Sequence, residues 1–262
     1  MLGIQYDGQP WLGWQSQPHG QTVQDRLEHA LECIATHPVS VSCAGRTDAG
    51  VHALEQVVHF DTAIERPLNS WVRGVNAHLP RSIAVRWSTA LDSTVLDGQE
   101  FHSRYSARAR TYHYILYNNP VRSPLFAGRV GWVFRPLDVV KMREAAQFLL
   151  GEHDFSSFRA TYCQAKSPVK QMHAITLRRQ GDLILFTFKA SAFLHHMVRN
   201  IIGSLVVVGT GNQEPVWMKH VLETRDRSIA APTFMPDGLY LAKVDFDAKW
   251  NLPQQEFALP FN

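Results

Sequence analysis

Apolar positions recur at helical spacing in three places along the chain. Val23, Leu27, Ala30, Leu31 and Ile34 fall on one face of a 3.6-residue period. Thr22-Val23-Gln24-Asp25 in front of them reads as a capping box, in which side chains three residues apart satisfy the first-turn N–H groups. Asp138 stands as the N-cap of a second helix, with Val139, Met142, Ala146 and Leu149 or Leu150 turned inward. A third stripe, Leu194, Met197, Val198, Ile201, Ile202 and Leu205, predicts a helix over residues 193–208. Residues 56–60, 83–87, 111–117, 183–189 and 239–246 are rich in β-branched and aromatic residues and predict strands. Several strands follow one another without a helix between them, which favours an α+β fold with a mixed, largely antiparallel sheet flanked by helices. Residues 90–99 are small and polar and mark a boundary between two halves, 1–98 and 99–262. Residues 247–262 contain two prolines and little pattern, as expected of a surface tail.

Composition narrows the class. A chain of 262 residues with 45% hydrophobic and 19% charged residues has the make-up of a folded protein, not of a disordered one. The most apolar runs, residues 183–188 and 201–208, fall far short of the roughly 20 residues a membrane helix needs. The first residues lack the basic-then-apolar layout of a signal peptide. Three scattered cysteines, Cys33, Cys43 and Cys163, make neither a disulfide framework nor a zinc knuckle. The expected location is therefore the reducing cytoplasm. Net charge is only +3, but its distribution is uneven. Residues 101–137 hold Arg104, Arg108, Arg110, Arg122, Arg129 and Arg135 with no acid, and residues 158–181 hold Arg159, Lys166, Lys170, Arg178 and Arg179 with none. Arginine interleaved with aromatics suits a polyanion, because its fork pairs with phosphate and its plane stacks on bases; a solvated basic face is the plainer alternative.

The chemistry concentrates in Ala44-Gly45-Arg46-Thr47-Asp48-Ala49-Gly50-Val51-His52-Ala53. Small residues around one Arg and one Asp let a partner approach the backbone closely. In an extended segment Arg46 and Asp48, two apart, point to the same side. A nearby cation holds a partly desolvated carboxylate ionised, and an accessible carboxylate can serve as nucleophile or base. The competing reading is a turn aspartate that caps a helix or closes an Asx-turn.

Gly45-Arg46-Thr47-Asp48-Ala49-Gly50-Val51-His52 resembles the catalytic motif of the tRNA pseudouridine synthase A family. Ordered companions run along nearly the whole chain: Tyr6-Asp7-Gly8, Gly13-Trp14-Gln15, Val75-Asn76, Leu79-Pro80, Phe101-His102-Ser103-Arg104-Tyr105-Ser106-Ala107 and Tyr112-His113-Tyr114. Further on stand Gly151-Glu152-His153-Asp154-Phe155, Ser157-Phe158-Arg159, Phe193-Leu194-His195-His196-Met197-Val198-Arg199-Asn200 and Gly238-Leu239-Tyr240-Leu241. The resemblance implies a pseudouridine synthase fold of two similar α+β halves around a central sheet. It implies isomerisation of uridine to pseudouridine at positions 38, 39 and 40 of the tRNA anticodon stem-loop, by a homodimer without a cofactor. Asp48 would be the catalytic aspartate, Arg46 would push the target base out of its stack and fill the gap, and Arg199 would be the cation paired with Asp48. Tyr112 would stack on the uracil and Leu239 would pack against it. Phe101, His102, Ser103, Arg104 and Tyr105, together with Tyr162, Cys163, Gln164, Ala165 and Lys166, would grip the RNA. The chain departs from the family pattern in beginning inside the first strand and in a longer stretch between Trp87 and Phe101.

The residues are consistent with that chemistry. Exchanging a C–N for a C–C glycosidic link needs no redox change or phosphate activation, and GxGxxG, GxxxxGK[ST] and HExxH are all absent from the sequence. A stacked base must be extruded at a cost of a few kcal/mol, of which an aromatic platform such as Tyr112 returns about 1–3 kcal/mol. On a strand Tyr112 and Tyr114 share one face. On a helix His195, His196 and Arg199 share one side, although adjacent histidines splay too far apart to chelate a metal well. Tyr6-Asp7-Gly8 and Gly13-Trp14-Gln15 read as structural, and Cys43 and Cys163, taken alone, as packing residues. Two other classes stand beside the enzyme. One is a tRNA-binding protein without catalysis, opposed by the intact Arg46, Asp48, Tyr112 and Arg199. The other is a metal-dependent RNA hydrolase using Asp48 and His52, opposed by the lack of a second carboxylate in the motif. Arg108 and Arg110 are expected to meet phosphates.

Overall fold

The structure, a computed structural model, describes residues 1–91, 95, 96 and 98–253. Residues 92–94 and 97 of the expected boundary stretch, and 254–262 of the expected tail, lie outside the described residues. In chain order the elements are β1 (Leu2–Tyr6), α1 (Val23–Ala35), β2 (Ser42–Cys43), β3 (His52–His59), α2 (Leu68–His78), β4 (Ile83–Ser88), β5 (Val95–Leu96), β6 (Gln99–Glu100) and β7 (Ala107–Asn118). There follow β8 (Gly131–Val133), α3 (Val139–Gln147), β9 (Gly151–Asp154), β10 (Val169–Gln180), β11 (Leu183–Ala190), α4 (Met197–Gly209), α5 (Trp217–Thr224) and β12 (Leu239–Phe246). The fold is α+β, with largely antiparallel strand pairing and flanking helices.

Two compact units form, Met1–Arg108 with Leu241–Asn262, and Ala109–Tyr240. The chain thus changes unit ten residues beyond the expected 98/99 division and returns to the first unit at Leu241. The return is a matter of long-range packing: β12 lies beside β3, and the rings of Phe246 and Trp250 meet Phe101 at 5.6 and 5.0 Å. Local composition carries no trace of such pairing.

In the first unit β1 is the middle strand of an antiparallel set, with β3 on one side and β4 on the other. Leu2, Ile4 and Tyr6 are buried along it. Helix α1 starts at the expected capping box, with the Thr22 hydroxyl accepting from Asp25 N and the Asp25 carboxylate accepting from Thr22 N. Its buried residues are Val23, Gln24, Leu27, Ala30, Leu31 and Ala35, with Ile34 half-buried. Helix α2 escaped the sequence pattern because only Trp71 and Val75 are buried on it and Gly74, a poor helix former, lies within it. That glycine lies close to α1: a Cβ there would stand 2.8 Å from the Ile34 Cδ1 methyl, which would have to shift.

In the second unit β7, β11, β10 and β9 form an antiparallel series, and β8 adds to β7 in parallel. Tyr112 faces Phe188 and Tyr114 faces Phe186 across the β7–β11 ladder. Helix α3 begins at Asp138, whose carboxylate accepts from Val140 N (2.9 Å) and Lys141 N (3.1 Å). Strand β10 was hidden within the basic stretch of residues 158–181; only Met172, Ile175 and Leu177 are buried along it. Helix α4 begins at Met197, four residues later than expected, because His196 adopts left-handed backbone at φ 62°. Leu194 is buried as its spacing implies, but it belongs to the turn before the helix.

Strand β3 also buries a carboxylate that the sequence did not mark. Glu55 is only 5% exposed. Burial, augmented by the neighbouring Asp245 charge and opposed by Lys243, pushes its pKa up to about 7. With a folded value above the unfolded one, the native state holds a proton that the unfolded chain releases, so stability falls as pH rises from about 4.5 through about 7. Glu55→Gln is expected to melt within about 1 °C of wild type at pH 4.5 and about 3 °C or more above it at pH 8. Calorimetry at the two pH values checks this; parallel curves would show that Glu55 does not carry the dependence.

Candidate active site

The segment between β2 and β3 is shaped by contacts from the start of the chain. Thr47 is buried, and its hydroxyl lies 2.7 Å from that of Tyr6. Trp14 N donates to Thr47 O at 3.0 Å, and Gly50 N donates to Trp11 O at 3.3 Å. The Gln56 side chain brackets Gly45, accepting from its N–H at 3.2 Å and donating to its carbonyl. Two glycines permit this closeness. A Cβ on Gly8 would stand 2.0 Å from Val51 O, and Gly13 sits at φ 93° against the backbone of Thr47 and Ala49. Tyr6-Asp7-Gly8 and Gly13-Trp14-Gln15, expected to be structural, are the mould of the Asp48 segment.

Thr47 turned inward sets its neighbours outward. Arg46 is exposed and Asp48 half-buried on either side of it, the alternation expected of an extended chain. Arg46 has no hydrogen-bond or ion-pair partner among the described residues. A turn does follow, but it uses the Asp48 carbonyl, which accepts from Val51 N at 3.1 Å. His52 opens β3, is 1% exposed, and places Nδ1 at 3.1 Å from Gly8 N and 3.2 Å from the Asp7 carboxylate. Those contacts commit His52 to the scaffold and speak against an Asp48–His52 metal pair. Cys43, just upstream, is a packing residue: burial pushes its thiol up to about 12, although the Arg46 and Arg104 charges act against it.

Residues 101–105 divide into anchors and solvent-facing groups. Phe101 is buried, and Ser103 donates to Ser42 O at 2.7 Å with its oxygen 3.0 Å from His59 Nδ1. These two hold the loop from its inner side. Arg104 is exposed, Tyr105 is 76% exposed, and half-buried His102 lies 4.4 Å from the Tyr105 ring. Arg108 faces solvent and pairs with Asp247 at 3.2 Å. Arg110, expected to meet phosphate, is instead buried and donates to Ser191 O at 3.0 Å.

The second unit presents the remaining residues. Tyr112 on β7 is 8% exposed, with Phe193 edge-on at 4.9 Å. Tyr114 is buried outright, donates to Met235 O at 2.9 Å, and has its pKa raised by burial and by the Asp237 charge, so it belongs to the core. Arg199 on the first turn of α4 is aimed by a bond from Nε to Phe234 O (2.8 Å). Leu239 is buried at the start of β12. Tyr162 is 90% exposed, Gln164 and Lys166 are exposed, and Cys163 and Ala165 are half-buried. Cys163 is more than packing: burial raises its pKa, but N–H groups of Ala165 and His195 and the Arg159 guanidinium outweigh that and lower it. His195 and His196 precede α4 instead of lying on it, so the one-sided helical arrangement with Arg199 does not form. Arg159, which the sequence offered within a basic stretch and the Ser157-Phe158-Arg159 motif but not as a site residue, holds the 162–166 loop; its place beside Phe158, a fully buried ring, was the available signal.

The sequence matches the tRNA pseudouridine synthase family over residues 4–106 and 145–247. It is 65% identical over 256 residues to tRNA pseudouridine synthase A of Janthinobacterium sp. (strain Marseille), covering 98% of this chain and 94% of that protein. It is 65% identical over 256 residues to the protein of the same name from Herminiimonas arsenicoxydans, covering 98% and 92%. The counterpart in Burkholderia thailandensis is 58% identical over 252 residues, covering 96% and 91%.

Removing the inward anchor and removing an outward charge should differ in cost. Thr47→Val takes away a partner of the buried Tyr6 hydroxyl and is expected to cost about 1–3 kcal/mol. Arg46→Ala should stay within about 0.5 kcal/mol of wild type. Denaturant titration of both variants measures the contrast, and equal stabilities would refute the anchoring role of Thr47.

Proposed function

The chain belongs to the tRNA pseudouridine synthase family, and on that premise we propose that it isomerises uridine to pseudouridine at positions 38, 39 and 40 of the tRNA anticodon stem-loop, with Asp48 as the catalytic carboxylate. The enzyme is an isomerase. The observation that carries the assignment of Asp48 is the inward lock on Thr47, which turns Arg46 and Asp48 together away from the core. A positioned, solvent-reachable carboxylate can attack the nucleoside or take a proton from it.

The reaction breaks the bond from C1′ to N1, turns the uracil, joins C1′ to C5, releases the C5 proton and leaves N1 to take up a proton. Nothing is oxidised or reduced, so the chain's own side chains suffice. The base must first leave its stack. Exposed Arg46, without a partner among the described residues, is suited to fill the gap with its planar guanidinium. Tyr112 offers the flipped base a stacking platform, and Leu239 an apolar wall. Arg199, oriented by Phe234 O, supplies a fixed positive charge to offset the charge that develops on the reacting groups. Half-buried His102 with exposed Arg104 and Tyr105 in the first unit, and exposed Tyr162, Gln164 and Lys166 in the second, are the groups assigned to RNA. The protein acts as a cytoplasmic homodimer in this reading. No helix among the described residues is long and apolar enough to cross a membrane.

Release of tritium from C5 of uridine in tRNA follows the new bond directly. Wild type is expected to release it and Asp48→Asn to release none while still binding tRNA. Release by the variant at the wild-type rate would remove Asp48 from the mechanism, and tight binding without release by wild type would leave an RNA-binding protein. Neutralising exposed Arg108 should flatten the dependence of log K on log salt by about one unit, whereas buried Arg110 should leave it unchanged. Binding isotherms at four salt concentrations separate the two arginines.

A further inference from the structure

The loop of residues 162–166 has no helix or strand of its own, yet its backbone is tied at several points. Both N–H bonds of Arg159 Nη2 are used inside it, to Cys163 O (2.6 Å) and Ala165 O (2.9 Å). Cys163 N donates to Ala160 O at 3.0 Å. The loop is then fastened to the turn before α4. Cys163 Sγ accepts from His195 N at 3.4 Å, and His195 O accepts from Ala160 N at 3.0 Å. Two residues before His195, the Phe193 ring stands edge-on to Tyr112. The base of the assembly is firm: Phe158 is fully buried, and its carbonyl accepts from Asn200 of α4 at 2.8 Å.

We propose that Arg159 is a positioning residue: by closing the 162–166 loop onto the His195 turn, it sets the Phe193 ring and, through it, the Tyr112 ring. Arg159 itself lies half-buried with both Nη2 donors on carbonyls of the loop, and in this reading it acts on RNA through the loop and on the base through Phe193. An RNA strand that engages Tyr162, Gln164 or Lys166 thereby pulls on the same contacts that orient the platform. RNA grip and placement of the uracil are coupled, and a loop that served only to hold RNA would leave turnover untouched. The inference rests on the proposed role of Tyr112 as the stacking platform.

A double-mutant cycle read by tritium release tests it. Arg159→Met keeps the stem and removes the donors. It is expected to raise KM for tRNA about tenfold and lower kcat about tenfold, in keeping with the cost of a small misplacement at a reacting centre. In a Phe193→Leu background the same change should still raise KM but lower kcat less than about twofold, because the link is already cut. An unchanged kcat in the single variant, or the full loss of kcat in both backgrounds, would overturn the proposal. If Arg159→Met does not fold, Arg159→Lys enters the same cycle under the same criteria. Alkylation of Cys163, followed in a Cys33→Ser background, needs no turnover: its pH midpoint should move up when Arg159 is replaced. Absence of tritium release by wild type would defeat the proposed function, whereas an unmoved alkylation midpoint would defeat the positioning chain even then.

Discussion

The short contact between the Tyr6 and Thr47 hydroxyls is the constraint from which the geometry of the first unit's reactive segment follows. A chain with side-chain period two cannot turn Thr47 inward without turning Arg46 and Asp48 outward. Burial makes the constraint strong, because either hydroxyl left without a partner in the core is expensive. The glycines at 8 and 13 matter for the same reason: they let two other stretches of backbone come close enough to hold the segment in that phase. A carboxylate on an unsupported loop would sample many orientations, and this one is placed by groups that never meet substrate.

The second unit places its groups by a different device. Left-handed backbone at His196 ends the preceding turn and starts α4. Arg199 falls on the first turn of that helix, with Nε donating to Phe234 O. Tyr112, by contrast, is fixed by its strand, two places along the ladder from the fully buried pairing of Tyr114 with Phe186. Adjacent positions of one face therefore divide the labour, Tyr114 filling the core and Tyr112 standing against Phe193. Strands and first turns are stiff supports, which suits groups whose worth depends on sub-ångström placement.

Burial also sorts residues that the sequence presents as alike. Within residues 101–105, Phe101 and Ser103 are inward anchors and Arg104 and Tyr105 are outward. Arg108 and Arg110 are two apart and equally basic, yet one faces solvent and the other donates to a carbonyl in the interior. Cys43 and Cys163 separate in the same way. A thiol deep in the fold is held protonated by desolvation, whereas one ringed by N–H donors and a guanidinium is shifted toward the thiolate.

Elements governed by near neighbours were legible in the sequence: the capping box of α1, the Asp138 cap of α3, β12 to the residue, and the ordered motifs that point to pseudouridine synthesis. Local patterns of apolar residues and capping side chains act over one or two turns, so the chain alone encodes them. The tertiary structure decided what depends on distant partners. It set the late start of α4, the hidden strand β10, helix α2 resting on Ile34 through Gly74, the return of the chain to its first unit at Leu241, the burial of Glu55, and the use of Arg159 as a clamp. Each of these turns on which surface a residue meets across the fold, a quantity fixed by packing between segments far apart in sequence.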